Sequence, residues 1–384
     1  MAMMGPLAGL RVVEMAGLGP GTFAVTLLAD MGADVVRVER PPTRTAGESP
    51  VTPPAQSVQL RGRRSICIDL KQPEGVELVL KLVDGADVLL EGFRPGVAER
   101  AGIGPEVCLE RNPGLVYARA TGWGQEGPLA TAAGHDITYL ALSGALHTIG
   151  PAGQAPVPPV NYLGDYGGGM HLAFGITSAL LERERSGRGQ CVDGAILDQL
   201  SLVTMRVHAD AALGAWGEDR GENLLDGGAH FYGVYVTADD RYVAVGAIEP
   251  KFYEALLDGL GLDGAELPDQ MDRSSWPTMR KLFAERFRAR TRDEWVDTFA
   301  GVDACVAPVL TPAEAVAHDH NQARGTFTTA WGVVQPAPSP RLSRTPGGLD
   351  RPPGGKGEHT DEILTGLGLA PAEIAALRDR YAVA

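Results

Sequence analysis

Two short valine-rich runs near the N-terminus, Leu10–Met15 (LRVVEM) and Asp34–Glu39 (DVVRVE), limit what this chain can fold into. Each has the length of a strand and is too short for a stable helix. Between them lie a glycine turn, Gly17-Leu18-Gly19-Pro20-Gly21, and a helical stretch, Thr22 to Met31, with Phe23, Leu27, Leu28 and Met31 apolar. A strand, a helix and a second strand in that order are neighbours in a parallel sheet, because parallel strands need a crossover. The pattern recurs: Ser65–Asp69 and Asp87–Glu91 read as strands around a helix at Gly75–Val83, and Leu115–Ala120 and Cys191–Leu197 follow as further strands. A long helix opens at Gly167-Gly168-Gly169 and runs through Leu172, Phe174, Ile176, Leu180 and Leu181 to the turn at Ser186–Gly189. The fold class is therefore α/β, built on a parallel sheet.

The chain has 384 residues, too many for one small core. After a helix predicted over Leu200–Trp216, a second region starts near Asp226. Phe231–Thr237 and Arg241–Ala247 are expected to pair as strands around Asp239-Asp240. Helices are predicted over Pro250–Leu260, Trp276–Ala289 and Thr291–Phe299, and a short strand over Cys305–Leu310. Residues 336–357, dense in Pro, Gly and Arg, read as an extended crossing segment, and Thr360–Tyr381 as a final helix.

Charge and composition remove whole classes of function. A formal net charge of −14 argues against a general nucleic-acid surface, though not against a local basic pocket. No apolar run is long enough to span a membrane, and the N-terminus lacks the basic flank and apolar core of a signal peptide. Cys67, Cys108, Cys191 and Cys305 are far apart and form no metal-ligand spacing, which suits reduced thiols in a cytoplasmic protein. No metal site and no cofactor are expected.

Several residues stand out chemically. The glycine turn at 17–21 misses the dinucleotide fingerprint, because Thr22 stands where its third glycine belongs and Pro20 removes a backbone donor. It reads as a turn that packs a helix on a strand. Arg37 and Arg40, the set Arg61, Arg63 and Arg64, and Arg94 with Arg100 sit at strand ends or loops, where guanidinium forks suit phosphate oxygens. In GHDITYLALSG, His135 and Asp136 open a largely apolar run, so both must be exposed, satisfied or used. Asp136 reads as a cap or as a hydrogen bond that holds the helix start. Asp165 suits the N-cap of the long helix, whose glycines would leave backbone amides open to a developing negative oxygen. Glu249, in VGAIEP, suits a helix start.

The segments GLRVVEMAG, GADVVRVERP, LLEGFRPGVAERAGIGP, TGWGQEGP, AGHDITYLALSG, LGDYGGG and DDRYVAVGAIEP occur in order from Leu7 to about Arg344. In them the chain resembles the family III CoA-transferase superfamily, and within it the 2-methylacyl-CoA racemases. The resemblance implies a large Rossmann-like, CoA-binding domain over 1–195 rejoined by 340–384, and a small α/β domain over 228–315. Linkers over 196–227 and 316–339 would connect them in an interlocked homodimer. It places an acid/base pair on His135 and Asp165, and on Glu249 a carboxylate that orients the histidine, supplied by the partner chain. It places CoA binding on Arg40, Arg94 and Arg100.

The expected substrate is an acyl-CoA thioester, whose α-proton is acidified by delocalisation onto the carbonyl oxygen. Two general bases on opposite faces then suffice for racemisation. Two other readings stay open. A family III CoA-transferase would use Asp165 as a nucleophile and need no histidine at 135. A non-catalytic acyl-CoA-binding protein would tolerate loss of the acid/base pair.

Overall fold

The computed structural model describes residues 5–41 and 57–384. Six strands, β1 (Arg11–Met15), β2 (Asp34–Glu39), β3 (Arg63–Cys67), β4 (Val88–Glu91), β5 (Val116–Thr121) and β6 (Cys191–Ala195), form one parallel sheet in the order β3-β2-β1-β4-β5-β6. Successive side chains point to opposite faces, and both faces are covered. Val13, Val36 and Leu89 enter one apolar layer with Leu78 and Val79 of the helix Pro73–Asp84 and with Leu364 and Leu377 near the C-terminus. Val12, Val35 and Val88 enter the other, with Val25 and Leu28 of the helix Pro20–Asp30 and Leu172 and Ile176 of the helix Gly167–Ser186. The near-continuous apolar strands follow from this double burial.

The order reverses between β1 and β4. In open α/β sheets that reversal leaves a crevice beyond the carboxyl ends of the two strands.

The described residues divide into two compact units. The first takes the chain up to Ser143, with Val160–Leu202 and Gln322–Ala384; the second takes Gly144–Pro159 and Val203–Asn321. The second unit carries an antiparallel sheet of β7 (Tyr232–Val236), β8 (Tyr242–Gly246) and β9 (Val306–Pro308). Its core is aromatic: Phe231, Tyr235, Phe283, Phe287 and Trp295 are all buried. The helix Arg292–Thr298 starts at a capping box, in which the Glu294 carboxylate accepts the Thr291 amide at 2.7 Å and Thr291 Oγ1 accepts the Glu294 amide at 3.3 Å.

Some elements depart from the sequence reading. β6 ends at Ala195 and a helix begins at once, Ile196–Val203, followed by Met205–Ala212. The single helix expected over Thr360–Tyr381 is two, Thr360–Gly366 and Pro371–Asp379, because Gly368 turns the chain with φ of 86°. Phe327–Ala330 and Val333–Pro336 pair as an antiparallel hairpin that periodicity did not signal.

Candidate active site

The loops after β1, β4 and β5 converge at the sheet reversal around a cavity of about 460 Å³. Leu18, Gly19 and Pro20 follow β1, Gly92–Pro95 follow β4, and Gly122 and Trp123 follow β5. His135 and Asp165 line the same cavity.

His135 stands at the N-cap of the helix Asp136–Leu142. Its backbone is held by Thr138, whose Oγ1 accepts the His135 amide at 3.0 Å and donates to the His135 carbonyl at 2.7 Å. The ring is left exposed. Behind it Tyr139 is buried and meets Trp123 edge-on at 4.6 Å between ring centroids. Tyr139 fits only because Gly122 and Gly134 carry no side chain; a Cβ on either would lie within 2.5 Å of the ring.

Asp165 does not cap the long helix. It lies in a π-helical turn, Tyr162–Tyr166, that runs directly into Gly167–Ser186. Its Oδ2 accepts the Asn161 side-chain amide at 3.1 Å. On its other side the glycine turn after β1 presses close: a Cβ on Gly19, which has φ of 68°, would sit 3.1 Å from Asp165 Oδ1. The turn where a dinucleotide fold would seat a phosphate thus faces a carboxylate of this chain.

The glycines after Asp165 serve packing rather than an exposed amide cradle. A Cβ on Gly169 would lie 2.8 Å from the Pro20 carbonyl oxygen, and one on Gly168 3.1 Å from Ile196. The amide of Asp165 is taken by the Asp136 carboxylate at 2.8 Å. Because the π turn runs on into the helix, the glycines do not stand at the free helix N-terminus expected from sequence.

The model of CoA-transferase family III matches residues 7–360. The chain belongs to CoA-transferase family III. It is 48% identical to the mouse protein named alpha-methylacyl-CoA racemase, over 97% of this chain and 96% of that one. It is 32% identical to the succinyl-CoA–L-malate CoA-transferase alpha subunit of Chloroflexus aurantiacus, over 98% and 92%. A CaiB/BaiF family crystal structure from Brucella suis superposes with a TM-score of 0.81, at 28% identity, over 95% of this chain and all of that one.

The arginines divide sharply in this family III chain. Arg37, Arg61 and Arg63 are not ligand-facing. Arg37 and Arg63 grip opposite oxygens of Glu14 at 2.5 and 2.6 Å, and Arg61 forks onto Asp30 at 2.8 and 2.6 Å. All five side chains are buried. Arg64 pairs with Asp34 and Glu362. These groups answer carboxylates inside the first unit, so their apparent suitability for phosphate was misleading. Arg40, Arg94 and Arg100 are exposed and have no ion-pair partner among the described residues. Arg94 lines the cavity; Arg100 lies on the next short helix, Val97–Arg100, and Arg40 follows β2.

Glu249 belongs to the second unit. It precedes the helix Pro250–Gly259, is exposed, and makes no side-chain cap. Sequence reasoning passed over Tyr139 and Trp123. The glycines at 122 and 134 that make room for them were the available signal.

Proposed function

We propose that this chain racemises 2-methylacyl-CoA thioesters by removing the α-proton from one face and returning a proton to the other. The observation that carries the reading is that His135 and Asp165, two groups able to exchange a proton, line one cavity at the sheet reversal. The 48% identity to a protein named alpha-methylacyl-CoA racemase supports the same reaction.

In this mechanism His135 takes the α-proton of one enantiomer while protonated Asp165 delivers to the opposite face. The other enantiomer reverses the roles. The electron pair left on carbon delocalises onto the thioester oxygen as an enolate. Glu249 of a partner chain orients and charges the imidazole, as the third member of a triad does. Arg40, Arg94 and Arg100 hold the CoA nucleotide and phosphates; their exposure without internal partners supports that role.

The interlocked homodimer belongs to the same proposal. Met170, Phe174 and Leu181 lie on one face of the helix Gly167–Ser186 and are 57%, 68% and 66% exposed, an apolar stripe suited to burial against another copy. A cytoplasmic location accords with four free cysteines. Among the described residues no helix is long and apolar enough to cross a membrane.

The test is NMR in D2O with (R)- and (S)-2-methyldecanoyl-CoA. Loss of the α-proton from both, with convergence on a racemic mixture, is expected. The relative at 32% identity supports a second reading, in which Asp165 attacks the thioester carbonyl, expels CoA and leaves an acyl anhydride. Absence of exchange, with CoA passed to an added carboxylic acid, would establish that reading instead.

A further inference from the structure

Asp136, next to the cavity residue His135, is a buried carboxylate, 9% exposed, that no step of the proton transfer uses. It occupies the first turn of the helix whose N-cap is His135. Its Oδ1 reaches across to the π turn and accepts the amide of Asp165 at 2.8 Å. The side chain thus ties the segment that carries one base to the segment that carries the other. The approach depends on Gly164, since a Cβ built there would stand 2.2 Å from Asp136 Oδ1. Three separate facts agree: the side chain is buried, its Oδ1 accepts the amide of Asp165 itself, and the chain omits a side chain at 164 to let it in.

We propose that Asp136 is a positioning residue that sets the separation of His135 and Asp165. The inference rests on the racemase reading. Each enantiomer requires both bases at once, one to take and one to give, so a change in their separation affects both directions. A displacement of about 1 Å at a reacting group lowers rates by roughly 100-fold. Binding of the CoA portion involves other loops and is expected to be spared.

The experiment measures kcat and KM for α-proton exchange from both enantiomers of 2-methyldecanoyl-CoA in the wild type, Asp136→Ala, Asp136→Asn and Gly164→Ala. Asparagine keeps an oxygen that can accept the same amide and removes only the charge. Asp136→Ala is expected to lose about 100-fold in kcat for both enantiomers, with KM little changed. Asp136→Asn is expected to restore kcat to within roughly threefold of wild type, the scale of one altered hydrogen bond. Gly164→Ala, which leaves the carboxylate in place but pushes it away, is expected to resemble Asp136→Ala. Wild-type kcat in Asp136→Ala overturns the proposal, as does an equal loss in Asp136→Asn and Asp136→Ala. If the alanine variant does not fold, Asp136→Asn decides: near-wild-type kcat supports positioning by hydrogen bond, and a large loss rejects it. Failure of the wild type to exchange protons would count against the racemase reading alone.

Discussion

Glu14 holds two guanidinium groups inside the sheet, and only 1% of it is exposed. Removing one member of a buried ion pair leaves an uncompensated charge, which typically costs about 3–5 kcal/mol. Glu14→Ala strands both Arg37 and Arg63, so a loss of at least that order is expected in urea unfolding of the first unit. A midpoint equal to wild type would show that the arginines find other partners. Arg94 presents the opposite case, a guanidinium facing a cavity with no ion-pair partner among the described residues. Arg94→Ala should weaken CoA-ester binding by about 10- to 100-fold, the scale of one or two charge-assisted hydrogen bonds, with kcat little altered. Direct titration with a CoA ester checks it. His135→Ala should abolish α-proton exchange from at least one enantiomer while CoA binding stays near normal; full exchange from both would remove His135 from the mechanism.

The helices Pro20–Asp30 and Gly167–Ser186 owe their close approach to glycine. A Cβ on Gly169 would lie 2.8 Å from the Pro20 carbonyl oxygen and 2.9 Å from the Phe23 ring, so one helix must shift to admit it. Gly169→Ala is therefore expected to destabilise the protein by about 1–3 kcal/mol, the usual range for overpacking, despite the better helix propensity of alanine. A thermal melt that rises instead would show that the helices separate freely. The same contact bears on activity, because Pro20 and Gly19 form the wall beside Asp165. The glycine run that first suggested an amide cradle acts one level up, by setting the distance between two helices.

Each of the two units has its own core, and that of the second carries a buried histidine that makes it sensitive to acid. His230 lies fully buried among Phe231, Tyr253 and Phe283, with Nε2 hydrogen-bonded to the Tyr253 hydroxyl at 2.7 Å. Burial, with Arg280 nearby, pushes its pKa down to about 4 from 6.5. Below pH 6.5 the unfolded chain takes up a proton that the folded chain refuses. Stability of the second unit should thus fall as pH drops from 6.5 to about 4, by roughly 3 kcal/mol in all. Hydrogen exchange followed across that range, with His230→Gln as the control that flattens the dependence, is the check. At the scale of the whole chain, the sequence by itself determined the parallel sheet, because a strand buried on both faces is short and largely apolar. It also determined most of the helices of the second unit, whose caps and periodicity are local. His135, Asp165 and the exposed arginines could be singled out as residue types in motifs. Only the tertiary structure decided which arginines meet carboxylates inside the fold, that Asp165 sits in a π turn rather than at a cap, and that Asp136 joins the segments of His135 and Asp165. The reason is physical: periodicity and capping arise within a few residues, whereas ion pairing, steric clearance at glycine and shared hydrogen bonds depend on groups brought together from 20 or more positions apart, as Asp136 and Asp165 are, 29 apart.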